Sequence, residues 1–130
     1  MEKIAIIDDN KVLDVQRSCI NHSAFKMVCS THLLFEDVNM ANCKITDANL
    51  SDLEIEGAQL GGAYIHNIGM PPKGHPNYDP NAKQRPLKFE DCDLSGSTIT
   101  NCNLSGLDIN DCNITGLRIN GILIEELLSK

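Results

Sequence analysis

The stretch DCDLSGSTITNCNLSGLDINDCNITGLRIN, residues 91–120, carries an apolar residue at every fifth position. We call these residues the centres of five-residue steps: Leu94, Ile99, Leu104, Ile109, Ile114 and Ile119. Neither the two-residue period of a strand nor the helical period of about 3.6 residues fits this spacing. The spacing indicates an internal repeat instead.

The five-residue period continues on both sides of this stretch. Further centres are Phe35, Met40, Ile45, Leu50, Ile55, Leu60, Ile65, Phe89 and Ile124. A second apolar or small residue lies two positions before each centre: Leu33, Val38, Cys43, Ala48, Leu53, Ala58, Ala63, Leu87, Cys92, Ser97, Cys102, Leu107, Cys112, Leu117 and Ile122. Residues two apart in extended backbone point to the same side, so each step should direct two side chains inward.

The residue three positions before most centres is of a type that tolerates a left-handed backbone or bonds its own turn. These residues are Asn42, Asp47, Asp52, Gly57, Gly62, Asp91, Gly96, Asn101, Gly106, Asp111, Gly116 and Gly121. The sequence therefore predicts a corner in every step. Weaker steps in the same phase, Ser18 with Ile20 and Ser23 with Phe25, extend the pattern upstream.

Two finer features accompany the repeat. The residue directly before most centres is polar and should point outward by alternation: Asn39, Asn49, Gln59, Asp93, Asn103 and Asn113. In residues 91–120, Cys-x-Leu or Cys-x-Ile steps with Ser-Gly or Thr-Gly corners alternate with Leu-x-Ile or Ser-x-Ile steps, which gives a ten-residue superperiod. Small and large interior side chains would then interdigitate in a narrow core.

The motifs ANCKI, DANLS, GAQLG, GAYIH, EDCDLS, NCNLS and DCNIT resemble those of the pentapeptide-repeat family, over about residues 33–124 apart from one interruption. This resemblance implies an all-β fold, a right-handed quadrilateral β-helix with about twenty residues per coil, whose coils stack as parallel strands. About four to five coils are expected. Both ends of such a solenoid need covers, which we expect to be an N-terminal capping strand or hairpin in residues 1–17 and a short C-terminal helix in residues 125–130.

The repeats should form a single domain, with a first block in residues 18–69 and a second in 87–124. Residues 70–86 lie between the two blocks. This segment holds all five prolines of the chain and shifts the phase of the repeat. Prolines exclude continued strand pairing and stiffen the chain. We therefore expect a projecting loop, which we call the Pro-rich loop.

The Pro-rich loop and its exit are cationic, whereas residues 36–56 hold six acids and one lysine. The functional interpretation is a surface that binds a protein or anionic partner. The candidate contacts are His66, His75, Tyr78, Asp79, Lys83, Gln84 and Arg85. The alternative is that the loop folds back on the acidic wall of its own chain and only covers a corner.

No metal site or cofactor is expected. Cys92, Cys102 and Cys112 fit small inward-pointing fillers with free thiols, because metal sites favour close Cys-x-x-Cys pairs. A metal or small-ligand site in residues 66–85, built on His66, His75 and Asp79, is the alternative. The sequence shows neither a nucleophile held by a base nor a phosphate-binding loop, so we expect no enzymatic activity.

Charge and targeting features narrow the partners further. The net charge of −7 disfavours nucleic acid and anionic membranes, and the beginning MEKIAIIDDN lacks the pattern of a secretory signal, which favours the cytoplasm. We expect a non-catalytic protein-binding or scaffold module, with homodimerisation through one end of the solenoid as a further option. Family analogy supplies the alternative of a DNA mimic that modulates DNA gyrase.

Overall fold

The computed structural model describes residues 2–129. The backbone divides into two units, Met1–Gln59 and Leu60–Lys130. In the first unit residues 2–59 contain no helix or strand. The second unit contains strand β1 (Arg118–Ile119), strand β2 (Ile122–Leu123) and helix α1 (Ile124–Leu128). Nowhere in residues 2–129 is there a helix long and apolar enough to cross a bilayer.

Left-handed corners recur at every fifth residue of the first unit from Arg17 to Gly57. The series with positive φ runs through Arg17, His22, Met27, His32, Asp37, Asn42, Asp47, Asp52 and Gly57, with φ between 49° and 67°. This confirms the corners predicted at Asn42, Asp47, Asp52 and Gly57. It also extends them upstream to Arg17. Two of these upstream corners, Arg17 and Met27, have residue types that rarely adopt positive φ.

The second unit contains the same series in two phases. Positive φ occurs at Gly62 and Asn67, and then at Asp91, Gly96, Asn101, Gly106, Asp111, Gly116 and Gly121. The separation of 24 residues between Asn67 and Asp91 is not a multiple of five, so the predicted shift of phase across the Pro-rich loop is confirmed.

Two kinds of corner alternate along the chain. In one kind a backbone N–H donates to the carbonyl three residues earlier, at N···O distances of 2.8–3.2 Å. These turns join Ile20 to Ser23, Met40 to Cys43, Leu50 to Leu53, Leu60 to Ala63, Leu94 to Ser97, Leu104 to Leu107 and Ile114 to Leu117. The intervening corners, such as Asn101 and Asp111, are bends. The ten-residue superperiod is therefore confirmed as an alternation of turn and bend.

At the hydrogen-bonded corners, the side chain of the polar residue before the centre accepts a hydrogen bond from the backbone N–H two residues later. The Oδ1 atom of Asn103 accepts a hydrogen bond from the backbone N–H of Ser105 at 3.0 Å, and Asn113 and Thr115 repeat the contact at 3.0 Å. Asp93 accepts from both the N–H and the hydroxyl of Ser95, at 3.0 and 2.6 Å. These are Asx turns, in which a short side chain holds the turn that follows it.

The hydrogen bonds at Asp93 also affect its ionisation. The Ser95 hydroxyl, and then the Ser95 backbone N–H, stabilise the carboxylate and hold the pKa of Asp93 below its ordinary value. A depressed carboxyl pKa stabilises the folded chain above the ordinary Asp pKa of about 3.9, and the contribution is lost as the pH falls through the depressed value. Asp93 is exposed, so solvent weakens the effect.

The predicted narrow, filled interior is not formed in this structure. No described residue is buried, and the centres Leu94, Ile99, Leu104 and Ile109 are 53, 67, 47 and 51% exposed. In the first unit an open space of about 4150 Å³ is lined by residues from Glu2 to Leu50. The side chains of Cys92, Cys102 and Cys112 are exposed as well and do not fill a core.

The centres are exposed because the backbone hydrogen bonds join residues that are close in sequence and do not hold successive coils together. Outside the C-terminal hairpin and helix, the backbone hydrogen bonds of residues 2–129 join groups three or four residues apart, with one exception in the C-terminal cap. The predicted ladder of stacked parallel strands is absent from this part of the chain, where the strands are the antiparallel pair β1 and β2. The corners are local features and form without that ladder.

The predicted C-terminal helix is confirmed as α1. Glu125 and Glu126 lie in its first turn, where the helix dipole favours acids. The N–H of Ile124 donates to the carbonyl of Leu117 at 3.0 Å, and the N–H of Gly116 donates to Oε1 of Glu125 at 3.3 Å. Partly buried side chains of the second unit gather at this end: Ile114, Leu117, Leu123 and Ile124.

The hairpin before α1 was not predicted. Asn120 and Gly121 connect β1 to β2 and both have positive φ, 50° and 80°. Asn-Gly is the dipeptide that favours this tight hairpin turn. The expected N-terminal capping strand or hairpin is not formed in residues 2–17, which contain no strand. Lys11 and Asp9 form a local ion pair there at 3.2 Å.

Candidate functional site

The Pro-rich loop is ordered by two turns of the same design. In His75-Pro76-Asn77-Tyr78 the N–H of Tyr78 donates to the carbonyl of His75 at 2.9 Å. In Asp79-Pro80-Asn81-Ala82 the N–H of Ala82 donates to the carbonyl of Asp79 at 3.2 Å. Proline at the second position presets the backbone angle that such turns require.

The first residue of each turn adds a side-chain acceptor. Oδ1 of Asp79 accepts a hydrogen bond from the N–H of Asn81 at 2.9 Å, and Nδ1 of His75 accepts one from the N–H of Asn77 at 3.0 Å. His75 thus holds its turn as an Asx residue does. Nδ1 is the acceptor in this contact, which corresponds to the tautomer that carries its proton on Nε2.

A third turn precedes this pair. The N–H of His75 donates to the carbonyl of Pro72 at 3.0 Å, and Gly74 has a φ of 98°, which a side chain would strain. Pro71 and Ala82 are half-buried, whereas the residues between them are exposed. Three successive hydrogen-bonded turns therefore give residues 72–82 a defined backbone and present their side chains to solvent.

His66 belongs to a separate cluster. Its ring stacks on Tyr64 with the centroids 4.0 Å apart and the planes 12° apart, and its Nδ1 lies 3.1 Å from Oδ1 of Asn67. His75 and Asp79 lie in consecutive turns. Each side chain accepts a hydrogen bond from the backbone N–H two residues later. Within residues 2–129 there is no group of three or more His, Cys, Asp or Glu side chains arranged to hold a metal.

The cations of the loop differ in their surroundings. Lys88 pairs with Glu90 at 2.6 Å, and this hydrogen bond raises the pKa of Lys88 and lowers that of Glu90. Lys73 and Lys83 are exposed and, in the described part of the chain, have no carboxylate within 4.0 Å. Lys73, which the sequence analysis did not select, thus joins Lys83 as an available charge.

The other predicted contacts occupy the surface of the same segment. The side chain of Tyr78 is 41% exposed, and Gln84 and Arg85 are exposed residues at the end of the loop. His75, Tyr78 and Asp79 thus lie in the two consecutive turns that begin at His75 and Asp79. The sequence analysis missed these turns, although the repeated pattern x-Pro-Asn-x could have indicated them.

Comparison with known proteins identifies the repeat. Residues 88–121 match the family described as pentapeptide repeats (8 copies), which agrees with the corner series at Asp91 through Gly121. No curated protein and no solved structure matches the chain. The match covers 34 of the 130 residues, so residues 88–121 of the second repeat block are similar to pentapeptide repeats.

Proposed function

We propose that this chain is a non-catalytic protein-binding module whose contact surface is the Pro-rich loop. The observation that carries the proposal is the pair of turns that begin at His75 and Asp79, because they hold exposed side chains on a defined backbone. A segment that is ordered before binding loses less conformational entropy when a partner docks. Pentapeptide repeats, which serve as interaction or scaffold modules, fit this role.

We also propose that the repeats stack into a right-handed, four-sided β-helix of about four to five coils. The support is the exposure of the apolar centres, such as Leu94 and Ile99, since apolar surface in water is unfavourable and stacking would cover it. Corners that stay in phase from Arg17 to Gly57 would allow successive coils to align. The loop would then project from a rigid support.

The proposed binding surface predicts a specific effect of the turn-anchoring side chains. The double variant His75→Ala, Asp79→Ala removes both side-chain acceptors and should loosen the loop. The matched variant His75→Asn, Asp79→Asn keeps an oxygen that can accept from Asn77 and Asn81. Each lost local hydrogen bond should cost the turn about 0.5–1.5 kcal/mol.

Each of the three proteins is immobilised and incubated with a lysate of the cells that produce the chain. Quantitative mass spectrometry then identifies the proteins that each one retains. Wild type and the asparagine variant should retain the same partners, and the alanine variant should lose them. Retention of the same partners by all three proteins would contradict the proposed role of the loop. Circular dichroism of the three proteins checks that the repeats are unchanged.

A further inference from the structure

We infer that the Pro-rich loop takes an acidic protein segment, whose carboxylates bind Lys73 and Lys83. This inference rests on the proposed binding role of the loop and names the chemistry of its partner. Both ammonium groups are exposed and lack a carboxylate within 4.0 Å in residues 2–129. Lys88, in contrast, is already neutralised by Glu90 at 2.6 Å.

Hydrogen-bonded turns lie at or directly before the two lysines. Lys73 is the second residue of the turn that Pro72 and His75 close at 3.0 Å. Lys83 directly follows Ala82, which closes the turn of Asp79 at 3.2 Å. The hydrogen-bonded turn and the adjacent Pro72 therefore define the backbone at Lys73, and a hydrogen-bonded turn ends directly before Lys83. A pair of carboxylates with matching spacing would meet both charges without first ordering the loop.

The charge of the rest of the chain favours a short acidic segment over a nucleic acid. The protein has a net charge of −7, with six acids among residues 36–56. Duplex DNA carries one charge per ~1.7 Å, so a bound duplex would bring many phosphates close to an acidic protein. A peptide with a few carboxylates brings much less repulsion. Lysine also binds single carboxylates as a compact point charge, without the planar fork of arginine.

Tyr78 supplies an apolar contact beside the charges. Its side chain is 41% exposed, and it closes the turn that begins at His75. Tyrosine is enriched in protein interfaces because its ring buries apolar area while its hydroxyl can hydrogen-bond. The segment that fits this surface therefore carries acidic residues next to an apolar one.

The test uses the full chain and a fluorescent peptide of alternating glutamate and glycine with one leucine. The control peptide has glutamine in place of glutamate. Fluorescence anisotropy at low ionic strength should show binding of the acidic peptide only, and added salt should weaken it. The variant K73Q/K83Q should lose affinity by roughly 2- to 30-fold, the range for two exposed ion pairs.

The variant K26Q/K44Q makes the same change of net charge away from the loop and should bind the acidic peptide as wild type does. Equal losses in the two double variants, or equal binding of the two peptides, would overturn the inference. Tighter binding of an oligonucleotide with the same charge would overturn it in favour of nucleic acid. The binding role of the loop itself fails separately, when H75A/D79A retains every cellular partner.

Discussion

Replacing Leu33 with alanine should lower the free energy of unfolding by about 2–5 kcal/mol, the usual cost of truncating a buried leucine. Leu33 belongs to the series two positions before the centres, whose side chains should face inward once coils stack. Leu34 follows it directly and points to the opposite side in extended backbone. The same substitution at Leu34 should cost less than about 0.5 kcal/mol.

The two leucines form a matched pair, because they carry the same substitution and both follow the turn at His32. In the open structure Leu33 is 55% exposed and Leu34 is 76% exposed, so both truncations would be cheap without stacking. Urea denaturation followed by circular dichroism measures the difference. Similar small losses at both positions would contradict the proposed closure of the coils.

Substitution of Gly106 by valine should destabilise the chain by about 1–3 kcal/mol, because a β-branched residue is strained at positive φ. Gly106 has a φ of 75° at the corner between Leu104 and Leu107. A Cβ atom there would meet nothing within 4 Å, so the cost is conformational and does not arise from a clash.

Asparagine at position 106 is the control, because the chain itself places Asn42 at a hydrogen-bonded corner of the same kind, with a φ of 64°. Asparagine tolerates this region, and its cost should be below about 1 kcal/mol. Thermal unfolding of the two variants provides the comparison. Equal melting temperatures for G106V and G106N would show that the corner at Gly106 does not need a left-handed backbone.

The corners could be predicted from the sequence because they depend on nearby atoms. Glycine, asparagine and aspartate adopt positive φ at low cost, and their five-residue spacing placed Asn42, Asp91 and Gly106 correctly. The upstream corners at Arg17 and Met27 have residue types that carry no such preference. Only the phase of the repeat indicated them, through the weak steps at Ser18 and Ser23.

The Asx turns were missed because alternation alone assigned Asn103 and Asp93 to the outer surface. The informative pattern was Asn or Asp followed two residues later by Ser or Thr, as in NLS and DLS, which places a hydroxyl and an N–H within reach of the carboxamide or carboxylate. In the candidate site, the prolines indicated a loop without strand pairing, and residues 70–86 contain no strand. The equivalence of His75 and Asp79 depends on ring geometry, which composition does not reveal.

Burial was the least predictable property. The inward series was inferred from local alternation, but covering Leu94 or Ile99 requires a neighbouring coil about 4.8 Å away and hydrogen bonds between residues far apart in sequence. The backbone hydrogen bonds at the corners of residues 2–129 are local, and Leu94 and Ile99 are 53 and 67% exposed. The C-terminal cap is the exception. There the N–H of Ile124 donates to the carbonyl of Leu117, and both residues are partly buried.

The central claim is that a left-handed corner at every fifth residue shapes this chain. Solution NMR tests it through the three-bond HN–Hα and one-bond Cα–Hα couplings, which together distinguish positive from negative φ. We expect positive φ at Asp91, Asn101 and Asp111, and negative φ at the residues between the corners. Negative φ at those three residues would contradict it.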